Sequence, residues 1–142
     1  VIAKLTPNVT RVVVIAADTV VACGRRILPK AESAGTVADC LSLLSGRRHQ
    51  VMTAVALAAP GGRIAERLVL TRVQFRRLTV PEIEAYVESR EGEGKAGGYA
   101  IQGRAAAFCT SINGSYSNVV GLPLAETYAL LKGFGFYASH VL

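Results

Sequence analysis

The stretch HQVMTAVALAAPGGRIAERLVLTRVQFRRL, residues 49–78, constrains the fold more than any other part of the chain. Two strand-like runs flank Pro60-Gly61-Gly62, which is hairpin punctuation, so the chain is committed to a long hairpin at its centre. In the second run Leu68, Leu70, Val73 and Phe75 alternate imperfectly with charged or polar neighbours. That pattern predicts a bulge or a half-exposed strand.

The segments on either side supply the remaining elements. TRVVVIAADTVVA begins with a β-branched run over residues 12–15, the mark of a strand buried on both faces, with Asp18 and Thr19 at its end. CGRRILPKAE reads as a turn followed by a loop. Val37, Cys40, Leu41 and Leu44 fall at helical spacing within 33–45, and Gly46 is a fitting stop. In LTVPEIEAYVESR, Thr79 and Glu82 form a capping-box signature with Pro81 in the first turn, which predicts a helix over 80–89. After the glycine-rich segment, RAAAFCTSI reads as a core strand and NGSYSNVVGLP as turn and loop. LAETYALLKGFG reads as a last helix with Leu124, Tyr128 and Leu131 on one face. The order strand, helix, hairpin, helix, strand, helix indicates an α/β domain with a mixed sheet and flanking helices.

The 142 residues match one domain. No uncharged apolar run is long enough for a membrane span, and the N-terminus lacks signal-peptide order, so the chain reads as soluble and intracellular. Cys23, Cys40 and Cys109 are scattered, and the only histidines are His49 and His140. Zinc is therefore not expected, and the thiols read as reduced core residues. The net charge of +6 favours phosphate-bearing partners, but the arginines are dispersed along the chain as on a solvated basic surface. Stable nucleic-acid binding is not expected from that dispersion.

Four sites carry candidate chemistry. Asp18, as a carboxylate following a strand, suits a hard divalent cation or the proton of an attacking water; its bland alternative is a turn cap or a pair with Arg25 or Arg26. Lys30 and Lys95 lie next to Pro or Gly, where a lysine offers a point charge to phosphate. The segment GKAGGYAIQG, residues 94–103, resembles neither familiar phosphate loop, although its glycines allow backbone amides to face an anion. Gln102 has a donor and an acceptor suited to a nucleobase edge. No serine has a histidine partner in evidence, and His49 reads as a surface or hairpin residue. Water attack assisted by a metal and a carboxylate fits better than covalent catalysis.

AADTVV, ILPKAES with LSLLSGRRHQVMTAVAL, LTVPEIEAYVES, GKAGGYAIQG and NGSYSNVVGLPLAET together resemble the Maf family of nucleoside triphosphate pyrophosphatases, in family order over residues 12–135. The resemblance implies an inosine-triphosphatase-like α/β fold with a mixed sheet and a cleft between two lobes. It also implies hydrolysis of a nucleoside triphosphate to monophosphate and pyrophosphate with Mg²⁺ or Mn²⁺, in the cytoplasm, by a homodimer. By the same resemblance Asp18 is the proton acceptor and a metal ligand, Thr19 bears on substrate choice, Lys30 and Lys95 face the phosphates, and Gln102 marks the dTTP and UTP branch. Two departures accompany it. The family's S-x-S-P-R-R motif does not appear, so a single Maf-like domain over 1–142 lacking the family's N-terminal segment is expected. Gly94 also stands where many members have an acidic residue. Two other readings remain: a basic nucleotide- or nucleic-acid-binding regulator of cell division without turnover, and a pyrophosphatase for modified nucleotides such as 7-methyl-GTP.

Overall fold

The structure, a computed structural model, describes residues 12–136. Along the chain these form β1 (Val14–Cys23), β2 (Arg26–Leu28), β3 (Lys30–Ala31), α1 (Ala34–Leu44), β4 (Arg48–Ala58), β5 (Ile64–Phe75), α2 (Val80–Ser89) and β6 (Lys95–Ala96). A 3-10 helix over Arg104–Phe108 leads into β7 (Cys109–Asn113), followed by α3 (Tyr116–Val120) and α4 (Leu124–Gly133). One sheet has the order β2-β1-β4-β5-β7, and β3 pairs with β6 in a small second sheet. Every pairing among the described strands is antiparallel.

The central hairpin forms as its sequence requires. Gly61 and Gly62 adopt positive φ, the Ala59 amide donates to the Arg63 carbonyl, and the register runs from Ala58↔Ile64 to Arg48↔Gln74. Residues two apart on a strand share a face, and along β4 the buried set is His49, Val51, Thr53, Val55 and Leu57. On β5 only Thr71, Val73 and Phe75 are buried, while Leu68 is 73% exposed, the half-exposed strand expected. The irregularity lies near its end, where the pairing with β7 shifts between Gln74 and Phe75.

The buried face of the sheet packs against the helices. Ser33 caps α1 by accepting from the Thr36 amide, and Val37, Cys40, Leu41 and Leu44 face inward. The capping box of α2 is complete: Thr79 Oγ accepts from the Glu82 amide, and the Glu82 carboxylate accepts from the Thr79 amide. Arg76 also pairs with that carboxylate at 2.9 Å. Its hydrogen bond, with the Thr79 amide second, holds the Glu82 carboxyl down to about 2. The main core joins Val21, Leu41, Leu44, Phe75, Tyr86 and Phe108, and a smaller one joins Val55, Leu57 and Leu130. Cys23 and Cys40 are buried free thiols, as expected, and Cys109 is partly exposed.

Several sequence expectations change. β1 is longer than its apolar run, so Asp18 lies in mid-strand rather than at a strand end. It is also not buried on both faces: Ile15, Ala16, Ala17 and Asp18 are exposed, because β2 covers only Val21–Cys23 and no described strand pairs with that edge over residues 14–20. The segment read as a loop after Cys23 contains β2 and β3, its reversal set by Gly24 at φ 60°. RAAAF is a 3-10 helix rather than strand, since alanines carry little strand preference. The loop expected after Asn113 holds α3, capped by Ser115 accepting from the Asn118 amide. On α4 the buried residues are Thr127 and Leu130, not Leu124, which is 60% exposed. His140 lies outside the described residues. No helix among the described residues is long and apolar enough to cross a membrane.

Candidate functional site

The free edge of β1, β2 and the small β3–β6 sheet enclose a cavity of about 300 Å³ lined by Asp18, Thr19, Ile27, Lys30, Gly94 and Ala96. A second, adjoining recess of about 100 Å³ brings Thr19 and Lys95 together with Val21, Val51, Tyr99 and Val120. Of the sequence-predicted residues, Asp18, Thr19 and Lys30 thus share one cavity, and Lys95 meets Thr19 in the recess beside it. The pairing Lys30↔Ala96 and Ala31↔Lys95 makes the two lysines diagonal neighbours across the small sheet, and strand alternation sends their side chains to opposite faces, Lys30 to the cavity and Lys95 to the recess. Gln102 is exposed and lines neither cavity.

Adjacent strand residues point to opposite faces, so Asp18 and Thr19 diverge. Thr19 lies on the face of Val21, toward α3. The Asp18 carboxylate turns back along the open edge, where Oδ1 accepts from the Thr19 amide at 2.9 Å. No ion pair ties it to Arg25 or Arg26; the ion pairs given among the described residues join Arg76 to Glu82 and Arg104 to Glu91. Asp18 is therefore free to meet a ligand.

The glycine-rich segment works differently from a backbone anion nest. The Gly94 amide donates to Ala31 O, Lys95 to Gly92 O, Gly97 to Pro29 O and Gly98 to Lys95 O. These amides are spent on the fold, which leaves the Lys95 side chain as the segment's offer to an anion. The glycines serve close packing instead: a Cβ at Gly92 would collide with Gly98 O, and one on Gly97, whose φ is +70°, would stand 3.0 Å from Val21.

Two residues behind the cavities were not legible as site residues. Thr53, opposite Thr19 in register, shares a 2.9 Å hydrogen bond between hydroxyls and donates to Asn118 O at 3.2 Å. Asn118 is fully buried, and its Nδ2 contacts Val51 O, Val69 O and Thr71 Oγ1 at 3.2, 3.2 and 2.9 Å. Parity along β4 was an available signal for Thr53, which sits between the inward-facing Val51 and Val55.

His49 corrects the surface reading. It is 1% exposed, bonded through Nε2 to the Tyr99 hydroxyl at 2.7 Å, and edge-on to Phe75. Parity with Val51 buries it, and burial pushes its pKa down to about 4. An unfolded histidine takes a proton near 6.5, so the unfolded state binds more protons between about 6.5 and 4 and stability falls as pH falls through that window. The melting temperature should drop on acidification from pH 7 to 5, and His49→Phe should flatten that slope. A slope unchanged in the variant would assign it to other groups. Glu82 acts lower, its contribution fading between about 4.5 and 2.

Among the described residues no group of three or more His, Cys, Asp or Glu side chains could hold a metal ion. The donors fit a cation carried in by phosphates and touched by one carboxylate, as Mg²⁺ commonly is.

The chain is 62% identical over 123 residues to a dTTP/UTP pyrophosphatase of Mesorhizobium japonicum, covering 87% of this chain and 59% of that protein. It is 63% identical to one of Paramagnetospirillum magneticum, with 87% and 65% covered, and 60% identical to one of Caulobacter vibrioides, with 87% and 64% covered. The chain thus spans about three fifths of the length of the curated relatives it matches. A family model described as "Maf-like protein" matches residues 2–134. With residues 2–134 of its 142 matched by that model, the chain belongs to the Maf-like family.

Proposed function

We propose that this protein hydrolyses nucleoside triphosphates, dTTP and UTP by preference, to the nucleoside monophosphate and pyrophosphate. The observation that carries the proposal is the meeting of an unpaired carboxylate, Asp18, with Lys30 at a single cavity of about 300 Å³, Lys95 standing in the adjoining recess. The substrate choice is supported by the activity for which the relatives are named, dTTP/UTP pyrophosphatase.

The residues divide the work by their chemistry. Lys30 and Lys95 bring positive charge to phosphate oxygens that would otherwise repel an approaching nucleophile. Asp18 takes a proton from water as its oxygen bonds to an internal phosphorus and the anhydride bond to the leaving pyrophosphate breaks. A divalent cation, for which Asp18 is the available carboxylate ligand in the cavity, would neutralise phosphate charge when bound. A role for Gln102 in base choice rests on family resemblance alone, and Gln102→Ala tests it by nucleotide preference.

The decisive experiment is pyrophosphate release across dTTP, UTP, CTP, GTP and 7-methyl-GTP with Mg²⁺ or Mn²⁺. Release is expected with dTTP and UTP foremost; release from none of the five overturns the proposal. Lys30→Ala and Lys95→Ala should each raise KM for every accepted triphosphate by about tenfold, the size of one charge-assisted contact. An effect confined to one base would move that lysine from the phosphates to the base.

A further inference from the structure

We infer that Thr53 and Asn118 are positioning residues that commit the Thr19 hydroxyl to accept a hydrogen bond, so that the recess selects a ligand edge carrying a donor, such as the N3–H of uracil or thymine. The inference rests on the pyrimidine reading above and deepens it.

It follows from counting protons. A threonine hydroxyl has one proton and two lone pairs. Thr53 is fully buried, and its Oγ1 lies 2.9 Å from Thr19 Oγ1 and 3.2 Å from Asn118 O. A carbonyl only accepts, so the proton between Thr53 and Asn118 O belongs to Thr53; without it two oxygen lone pairs would face each other in a dry site. The Thr53 proton is therefore committed, and the bond between the hydroxyls is donated by Thr19. The Thr19 hydroxyl then presents only lone pairs to a ligand.

Asn118 holds this direction in place. Its Nδ2 faces three acceptors, Val51 O, Val69 O and Thr71 Oγ1, so turning the amide over would bring Oδ1 against them. Thr71 accepts from the Ser115 amide and donates to Ser115 O, and Ser115 Oγ caps α3 through the Asn118 amide. The Asn118 carbonyl, which sets the direction of Thr53, thus belongs to a helix anchored to the sheet at both its cap and its side chain.

The recess beside Thr19 suits a base. Its walls include Val21, Val51, Tyr99, Val119 and Val120, with Lys95 the charged member. An apolar recess with one fixed acceptor discriminates by mismatch: a donor is satisfied there, whereas the N3 acceptor of cytosine faces another acceptor and stays unpaired.

The test is equilibrium binding of the α,β-methylene analogues of UTP and CTP to the 142-residue chain and its variants, beside hydrolysis of the natural pair. The parent should favour the UTP analogue by about tenfold or more, the scale of one hydrogen-bond mismatch. Thr53→Val should narrow that ratio by about tenfold, and Thr53→Ser, which keeps the hydroxyl, should restore it. Thr19→Val should level the ratio without touching the buried pair, and serves if Thr53→Val does not fold. A parent that binds both analogues equally, or neither, overturns the inference, as does a ratio unchanged in folded Thr53→Val or in Thr19→Val. Retained preference without turnover would instead overturn the hydrolase reading alone.

Discussion

Pyrophosphate release from dTTP and UTP is expected to fall at least about a hundredfold in Asp18→Asn, the lower range for loss of a positioned proton acceptor. The substitution is nearly isosteric, and the asparagine side-chain oxygen can still accept from the Thr19 amide, as Asp18 Oδ1 does at 2.9 Å. Circular dichroism and the melting temperature should therefore stay close to the parent's while turnover falls. Asp18 takes no part in the core or, among the described residues, in an ion pair, so the fold of the single chain should hold when its charge is removed. Turnover within a few fold of the parent would remove Asp18 from the chemistry and leave the lysines as a binding site without a base.

The largest effect on stability is expected at Asn118. Truncation to alanine removes an amide whose two N–H protons serve three acceptors, the buried Val51 O and Thr71 Oγ1 and the partly buried Val69 O. Each buried acceptor left short of a partner costs about 1–3 kcal/mol, not additively, so Asn118→Ala should lose about 3 kcal/mol or more in urea unfolding. The same change loosens α3 from β4 and β5, the strands it packs on. A loss under about 1 kcal/mol would show that the sheet closes over the gap and that the amide is replaceable there.

Local rules explain which parts of the fold were legible. The hairpin turn at Gly61-Gly62 and the Thr79–Glu82 capping box specify neighbours a few residues away, and both formed where the sequence placed them. Asp18 and Thr19 were legible as residues but not in their placement. The strand-end rule describes parallel sheets, whereas here the site runs along the free edge of an antiparallel strand. His49, Thr53 and Asn118 were missed because their partners lie 50, 34 and 67 residues away, at Tyr99, Thr19 and Val51. A polar side chain in an apolar run looks like a surface position until its cross-sheet partner is known. The glycines of 94–103 were legible as a close approach, but toward the protein's own backbone and Val21 rather than a phosphate.

Among the described residues no strand pairs with the outer flank of β1 over residues 14–20, which bears on handling the protein. Strand edges with unpaired amides and carbonyls invite a second chain to add on, and a charge in the middle of such an edge discourages it. Exposed Ile15 and the alanines beside it make this edge adhesive, and Asp18, its carboxylate folded against the Thr19 amide, is the charge that interrupts it. The side chain proposed as the proton acceptor would thus also guard against self-association. Asp18→Asn should scatter more light on concentration than the parent, and its activity is best read on freshly isolated monodisperse material.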